Sequence, residues 1–120
     1  MSVVTLGETM ALLNVPGRLG AGTTLLMVAA ELGLQEVKFF PAAQLGGPAA
    51  IRALDAPFRR MAFTPSGRVS ADNMTDYLAL QVVRAVSGSW MVDPALLRAG
   101  RWAEVTARSA DAVARAATRK

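Results

Sequence analysis

From residue 24 onward the chain alternates helix-forming and strand-forming segments, with links of only a few residues between them. That order constrains the fold more than any other feature. Strands separated by single helices and short links pair in parallel, through right-handed crossovers. Thr23 or Thr24 is placed to cap a helix through Leu25–Leu32, with Gly33 as its stop. A strand over Val37–Ala42 follows, then a helix through Ile51, Arg52 and Leu54 opened by Gly46-Gly47-Pro48. Met61–Thr64 reads as a further strand. Ser70 or Asp72 is placed to cap a helix through Met74, Tyr77 and Leu78, and Val82–Val86 reads as a fourth strand. Asp93-Pro94 starts a short helix ended by Gly100, and a last helix covers 101–118. On that helix Glu104–Arg108 and Asp111–Arg115 are favourable four-apart pairs, and Trp102, Val105, Ala112 and Ala116 share an apolar face. Before this repeat, Ser2–Leu6 reads as a strand, Met10–Val15 as an apolar run of either state, and Pro16-Gly17 and Gly20-Ala21-Gly22 as joints.

Lys38 sits inside the apolar run Val37-Lys38-Phe39-Phe40-Pro41-Ala42, where an ammonium group is costly to bury without a partner. The chain's other lysine is the terminal Lys120. Strand geometry puts Lys38 and Phe40 on one face and Val37 and Phe39 on the other. Two readings follow from this stretch. In one, desolvation beside an aromatic ring favours the neutral amine, which attacks a carbonyl and forms a Schiff base. In the other, this is an edge-strand lysine that turns to water and guards against pairing, and taken alone the six residues favour that reading.

The rest of the composition narrows the chemistry. A chain of 120 residues is one domain, well short of the roughly 250 residues of a full eight-stranded α/β barrel. An apolar fraction of 52% excludes general disorder. There is no cysteine and no histidine, which removes disulfides, thiolate metal sites, thiol nucleophiles and histidine-based triads. Catalysis would fall to Lys, Asp, Glu, Ser, Thr, Tyr or Arg. No apolar run reaches 18 residues and no signal-peptide pattern opens the chain, so the expectation is a cytoplasmic protein with no membrane partner. The net charge of +4 arises wholly from residues 94–120, on a helix rich in Arg and Ala. Such a helix reads as a solvated surface, and no nucleic-acid partner is expected.

Two short loops, Ser66-Gly67 and Ser87-Gly88-Ser89, each follow a strand and precede a helix. Exposed amides at that place can form an anion site. Gly and Ser at the same place also simply make tight turns, and neither loop is a Walker or Rossmann fingerprint.

Taken together, Ala30-Glu31-Leu32-Gly33, Val37-Lys38-Phe39-Phe40-Pro41-Ala42, Gly46-Gly47, Phe63-Thr64-Pro65-Ser66-Gly67, Asp72-Asn73-Met74-Thr75-Asp76-Tyr77-Leu78 and Ser87-Gly88-Ser89-Trp90 resemble a known family. From about Gly22 to the end the chain is similar to the C-terminal half of the bacterial 2-keto-3-deoxy-6-phosphogluconate aldolases, some of which also cleave 4-hydroxy-2-oxoglutarate. The resemblance implies a TIM-barrel architecture, hence an α/β half barrel of parallel strands here. It implies a class I aldolase that needs no metal and no cofactor, acting on a small 2-oxo acid in carbohydrate breakdown of the Entner-Doudoroff type. Lys38 falls on the family's Schiff-base lysine in the sixth barrel strand, which makes the Phe63 strand the seventh and the Val82–Val86 strand the eighth. Pro65, Ser66, Gly67 and Arg68 match one substrate- and phosphate-binding loop, and Ser87, Gly88 and Ser89 match the second.

Departures from the pattern accompany this. Arg68 and Ser87 stand where the family usually has glycine, and Ala43 where it has glutamate. A Cβ at either glycine position blocks close backbone approach to a phosphate, whereas the Arg68 guanidinium can pair with the anion. The first barrel strands, which in the family carry a proton-shuttling carboxylate and a carboxylate-binding arginine, have no match, and Glu8 is a candidate stand-in by position alone. Residues 1–21 resemble instead the first strand of ribokinase-like sugar kinases, including 2-keto-3-deoxygluconate kinases, over about fifteen residues and without a nucleotide site. The expected division is therefore 1–21, a kinase-like strand and linker, and 22–120, an aldolase-like half barrel, joined as by an in-frame fusion. Two outcomes are open: a Schiff-base aldolase, or an inactive remnant. An open half barrel exposes sheet edges and an uncovered apolar face, so a homo-oligomer is expected in either case.

Overall fold

The computed structural model describes residues 10–14 and 26–118. The expected strand at 2–6, Glu8, the joints at 16–22 and the Thr23 or Thr24 cap lie outside the described residues. Three parallel strands form one sheet in the order β1 (Met10–Asn14), β2 (Glu36–Phe40), β3 (Ala62–Pro65). A helix over 26–31 (α1) leads into β2, and α2 (Gly47–Asp55) connects β2 to β3. After β3 come α3 (Met74–Leu78), a 3-10 turn at Trp90–Val92, α4 (Pro94–Arg98) and α5 (Trp102–Ala117).

The core lies between the sheet and its helices. Val37 and Phe39 of β2 and Phe63 and Pro65 of β3 are fully buried, with Leu26, Ile51, Met74 and Val83 packed around them. Phe39 and Phe63 meet edge to face, ring centroids 6.2 Å apart, a geometry that adds roughly 0.5–1.5 kcal/mol to their burial. Gly33, at φ +75°, ends α1 as expected, and the Leu34 N–H turns back to the Ala29 carbonyl at 2.9 Å. Pro48 sits in the first turn of α2, and the Asp93 carboxylate accepts from the Ala95 N–H at 2.7 Å to cap α4.

Three expectations are corrected. The fourth strand over Val82–Val86 is reduced to two isolated parallel bridges, Phe63 with Val83 and Ser66 with Ser87. The cause is Pro65, which has no N–H to donate toward that segment. The pairing offset is 20 residues at the first bridge and 21 at the second, so one extra residue is accommodated between them. The α3 cap is neither Ser70 nor Asp72. Asn73 precedes the helix, accepting from the Ser70 N–H at 2.8 Å and donating to the Arg68 carbonyl at 2.9 Å, which ties the 68–73 turn instead. On α5, Ala112 and Ala116 pack on the core, but Trp102 is 63% exposed and forms no part of an inward face.

The two predicted pairs on α5 are present, Arg108 to Glu104 at 2.6 Å and Arg115 to Asp111 at 2.7 Å. Each arginine also donates to a loop carbonyl, Arg108 to Trp90 at 3.2 Å and Arg115 to Ala71 at 3.3 Å. α5 thereby ties down both loops that follow the last strands.

Burial of Tyr77, with Asp76 next to it, pushes its phenol above the usual value of about 10. The neutral form is the one favoured by folding, so its contribution is intact below that value. It is lost as pH rises toward the folded-state pKa. Urea midpoints measured across the alkaline range should therefore fall for the wild type, and fall less steeply for Tyr77→Phe.

Candidate active site

β2 presents two chemistries because its side chains alternate. Val37 and Phe39 face the helices, while Glu36, Lys38 and Phe40 line the opposite face, half-buried. β2 is the central strand, paired on one side with β1 and on the other with β3, so the edge-strand reading of Lys38 is overturned. Lys38 pairs in register with Leu12 and Thr64. Its Nζ stands 5.7 Å from the centroid of the Phe40 ring, within the reach of a cation–π contact. Ion pairs among the described residues all lie on α5 and its N-cap Arg101, leaving Lys38 without a fixed carboxylate partner.

The loops named from the sequence gather at the C-terminal ends of these strands. The Ser66 N–H donates to the Phe39 carbonyl at 2.9 Å and the Ala42 N–H to the Ser66 carbonyl at 2.7 Å. The Ser87 N–H donates to the Pro65 carbonyl at 2.9 Å. Pro41-Ala42, Pro65-Ser66-Gly67-Arg68 and Ser87-Gly88-Ser89 therefore stand side by side at one end of the sheet. Ser66 is buried, while Ser87 and Ser89 are exposed. Neither loop runs directly into an α-helix. α3 begins only at Met74, and Ser89 leads into the 3-10 turn. The helix-backed anion reading is corrected to that extent.

Two glycines in these loops are fixed by close approach. At Gly67 (φ +96°) a Cβ would lie 3.0 Å from Pro41 Cα and 3.1 Å from Phe40 Cδ2. At Gly88 it would lie 2.1 Å from Trp90 Cζ3 and 2.9 Å from the Val69 carbonyl oxygen. Arg68, the residue in place of a glycine, keeps a left-handed backbone at φ +56°, so the turn retains its shape around a side chain that disfavours it.

Sequence reasoning missed Glu36 and Thr64. The Thr64 hydroxyl, buried on the Lys38 face, donates to Glu36 Oε1 at 3.0 Å. The period-two rule that paired Lys38 with Phe40 applies equally to Glu36 and was the available signal. A cleft of about 480 Å³ opens elsewhere, beside Gln35, Met61 and Pro57 to Arg60. It lies at the N-terminal ends of β2 and β3, on the far side of the strands from the loops, and its lining includes Arg59 and Arg60 but no nucleophile.

Arg68→Gly relieves a backbone cost of about 1–2 kcal/mol while adding about 0.5–1 kcal/mol of unfolded-state entropy. Its stability should lie between unchanged and about 1.5 kcal/mol higher by urea unfolding, whereas Arg68→Val should be destabilised. Gly88→Ala must displace the Trp90 ring and should lose about 1–3 kcal/mol, with a shift in tryptophan emission as the local readout.

A family model described as "KDPG and KHG aldolase" matches residues 3–108. The chain is 44% identical over 89 residues to the 2-dehydro-3-deoxy-phosphogluconate aldolase of Dickeya dadantii, covering 74% of this chain and 42% of that protein. It is 41% identical over 95 residues to the aldolase of the same name from Pseudomonas aeruginosa, covering 79% and 43%. The crystal structure of KDPG aldolase from Legionella pneumophila, with pyruvate captured as a covalent carbinolamine, matches at a TM-score of 0.68 and 33% identity over 70% of this chain and 41% of that one. The chain thus spans about two fifths of the length of the curated relatives it matches. The family model matches most of the chain, and the chain belongs to the KDPG and KHG aldolase family.

Proposed function

We propose that Lys38 forms a Schiff base with a small 2-oxo acid, and that the chain carries the lysine half of a class I aldolase site. The observation that carries this is the position of Lys38 on a central parallel strand, on the face opposite the core, beside Phe40 and at the end where both serine–glycine loops meet. The covalent pyruvate carbinolamine in the Legionella relative supports the same chemistry. The Lys38 amine adds to the C2 carbonyl and the carbinolamine loses water to give an iminium. As a base takes the proton of the C4 hydroxyl, the electron pair of the C3–C4 bond flows into the iminium, releasing an aldehyde and leaving an enamine. Protonation and hydrolysis of the enamine give pyruvate and restore the amine. The substrates are 2-keto-3-deoxy-6-phosphogluconate or 4-hydroxy-2-oxoglutarate. Pro65, Ser66, Gly67, Arg68, Ser87, Gly88 and Ser89 form the wall that receives the far end of the substrate, and the Arg68 guanidinium is the cation available to its anionic group.

The architecture behind this is a partial TIM barrel. With β2 as the sixth barrel strand and β3 as the seventh, β1 takes the place of the fifth. The family match opens at residue 3, so this reading sets Met10–Asn14 within the barrel and leaves the kinase-like character of 1–21 to its first few residues. Family membership is also what supports a cytoplasmic location. A second reading, an inactive remnant that self-associates, draws on the apolar surface of α1 and the turn that ends it, where Met27, Val28 and Leu32 are exposed.

Incubation with pyruvate and borohydride, followed by peptide mass spectrometry, should find one reduced pyruvate on Lys38 and none in Lys38→Ala. A folded wild-type protein that gains no adduct would leave the remnant reading standing.

A further inference from the structure

We infer that Glu36, held by the Thr64 hydroxyl, is the proton-transfer group for imine formation at Lys38. The inference rests on the Schiff-base reading and adds a second residue to it. Glu36 and Lys38 lie two positions apart on one strand face, their backbone positions about 6.6 Å apart. They form no direct ion pair, so a proton passing between them would need the amine to swing from the Phe40 ring and an intervening water or hydroxyl. Thr64 is that hydroxyl by position. It pairs in register with Lys38 yet donates across the strand to Glu36 Oε1 at 3.0 Å. Its remaining lone pairs can accept from the lysine side. The hydrogen bond also fixes the carboxylate rotamer of a half-buried glutamate, orientation that a solvated surface side chain lacks.

The surroundings isolate this pair. On β3 the residues paired with Glu36 and Lys38 are Ala62 and Thr64, and on β1 they are Met10 and Leu12. None of these four is an acid or a base in the working range. Asn14, paired with Phe40, does not titrate either. Arg68 is the nearest charged residue in the loop that follows β3, two positions beyond the buried Ser66. Among the described strand positions of this face, Glu36 is thus the single carboxylate available to the lysine.

The step balances without another reactant. Glu36 accepts a proton from the Lys38 ammonium, directly through the Thr64 hydroxyl or through a water. The neutral amine adds to the carbonyl, the nitrogen proton moves to the new oxygen, and a carbinolamine results. The protonated Glu36 then gives its proton to the carbinolamine hydroxyl, which leaves as water, and the nitrogen lone pair closes the iminium. Glu36 ends as the carboxylate it began as.

The test is the rate of borohydride-trapped pyruvate adduct on the full chain, followed by mass spectrometry from mildly acid to mildly alkaline pH. Glu36→Gln should slow adduct formation about 10²–10⁴-fold, as loss of a general acid–base group does, and should flatten the acid side of the pH profile. Thr64→Val should slow it less, and Thr64→Ser, which keeps the hydroxyl, should restore the wild-type rate. A purely structural role would lower the thermal midpoint of Glu36→Gln and leave the pH profile of the folded protein unmoved, and that result would overturn the inference. So would equal rates for Thr64→Val and the wild type. If the wild type forms the adduct on Lys38 and Glu36→Gln matches it, this inference alone falls. If the wild type forms none, the Schiff-base reading falls with it.

Discussion

The edge-to-face contact between Phe39 and Phe63 sets the frame in which everything else in this chain is arranged. Both rings are fully buried, and a slip of one residue between β2 and β3 would turn a phenylalanine outward and drive Lys38 into the helix-covered core. Burying an unpaired ammonium there costs far more than the contact itself contributes. The register is therefore held from both sides, by what must be buried and by what must not. Thr64 stands opposite Lys38, and reaches Glu36, as a consequence of that register. The geometry of the reactive face is thus fixed by residues that never touch it.

The end of the sheet is governed by a different constraint. Pro65 terminates the ladder toward residues 82–87, and the extra residue between the two bridges lets Ser87 come beside Ser66. Gly88 must then carry no side chain, because the Trp90 ring lies where its Cβ would be. Arg108 holds the Trp90 carbonyl from α5, and Arg115 holds that of Ala71. The two arginines of α5 are matched by Glu104 and Asp111 on the same helix, and they brace two loops rather than present a basic surface. A lone exposed ion pair contributes little, but an arginine that also caps a loop carbonyl ties the position of the loop to the helix.

The element order and most helix boundaries were legible because they depend on local signals: Gly33, Pro48, Asp93 and Gly100 each act within a turn of where they stand. Lys38 was legible as an anomaly, and the Schiff-base role proposed for it comes from family motifs rather than from the six residues around it, which taken alone favoured an edge lysine. What failed to show in sequence depended on partners distant in the chain. Val82–Val86 has the composition of a strand, yet the missing donor that thins it is Pro65. Ser70 and Asp72 are good capping residues, but Asn73 takes the turn because the Arg68 carbonyl and the Ser70 amide are both within its reach. Trp102 follows the helical spacing of Ala112 and Ala116, and the core ends before it. The Thr64–Glu36 bond joins residues 28 apart and depends on a register no sequence pattern states.

Imine formation and carbon–carbon cleavage make different demands on a fold of this size. The first needs an amine, a proton carrier and an apolar wall, and in the proposed site Lys38, Glu36 and Phe40 of β2, with Thr64 of β3, would supply them on one sheet face. Fixing these groups on adjacent strands replaces a bimolecular encounter with a positioned one, the effect that in favourable cases reaches effective molarities of 10⁵–10⁸ M. Cleavage of the C3–C4 bond adds a second proton transfer at the far side of the substrate, from a group that faces Lys38 across a site. An open three-stranded sheet has no described element on that side. On the proposed reading the imine chemistry is local to the described strands, while cleavage calls on a group that no described element supplies.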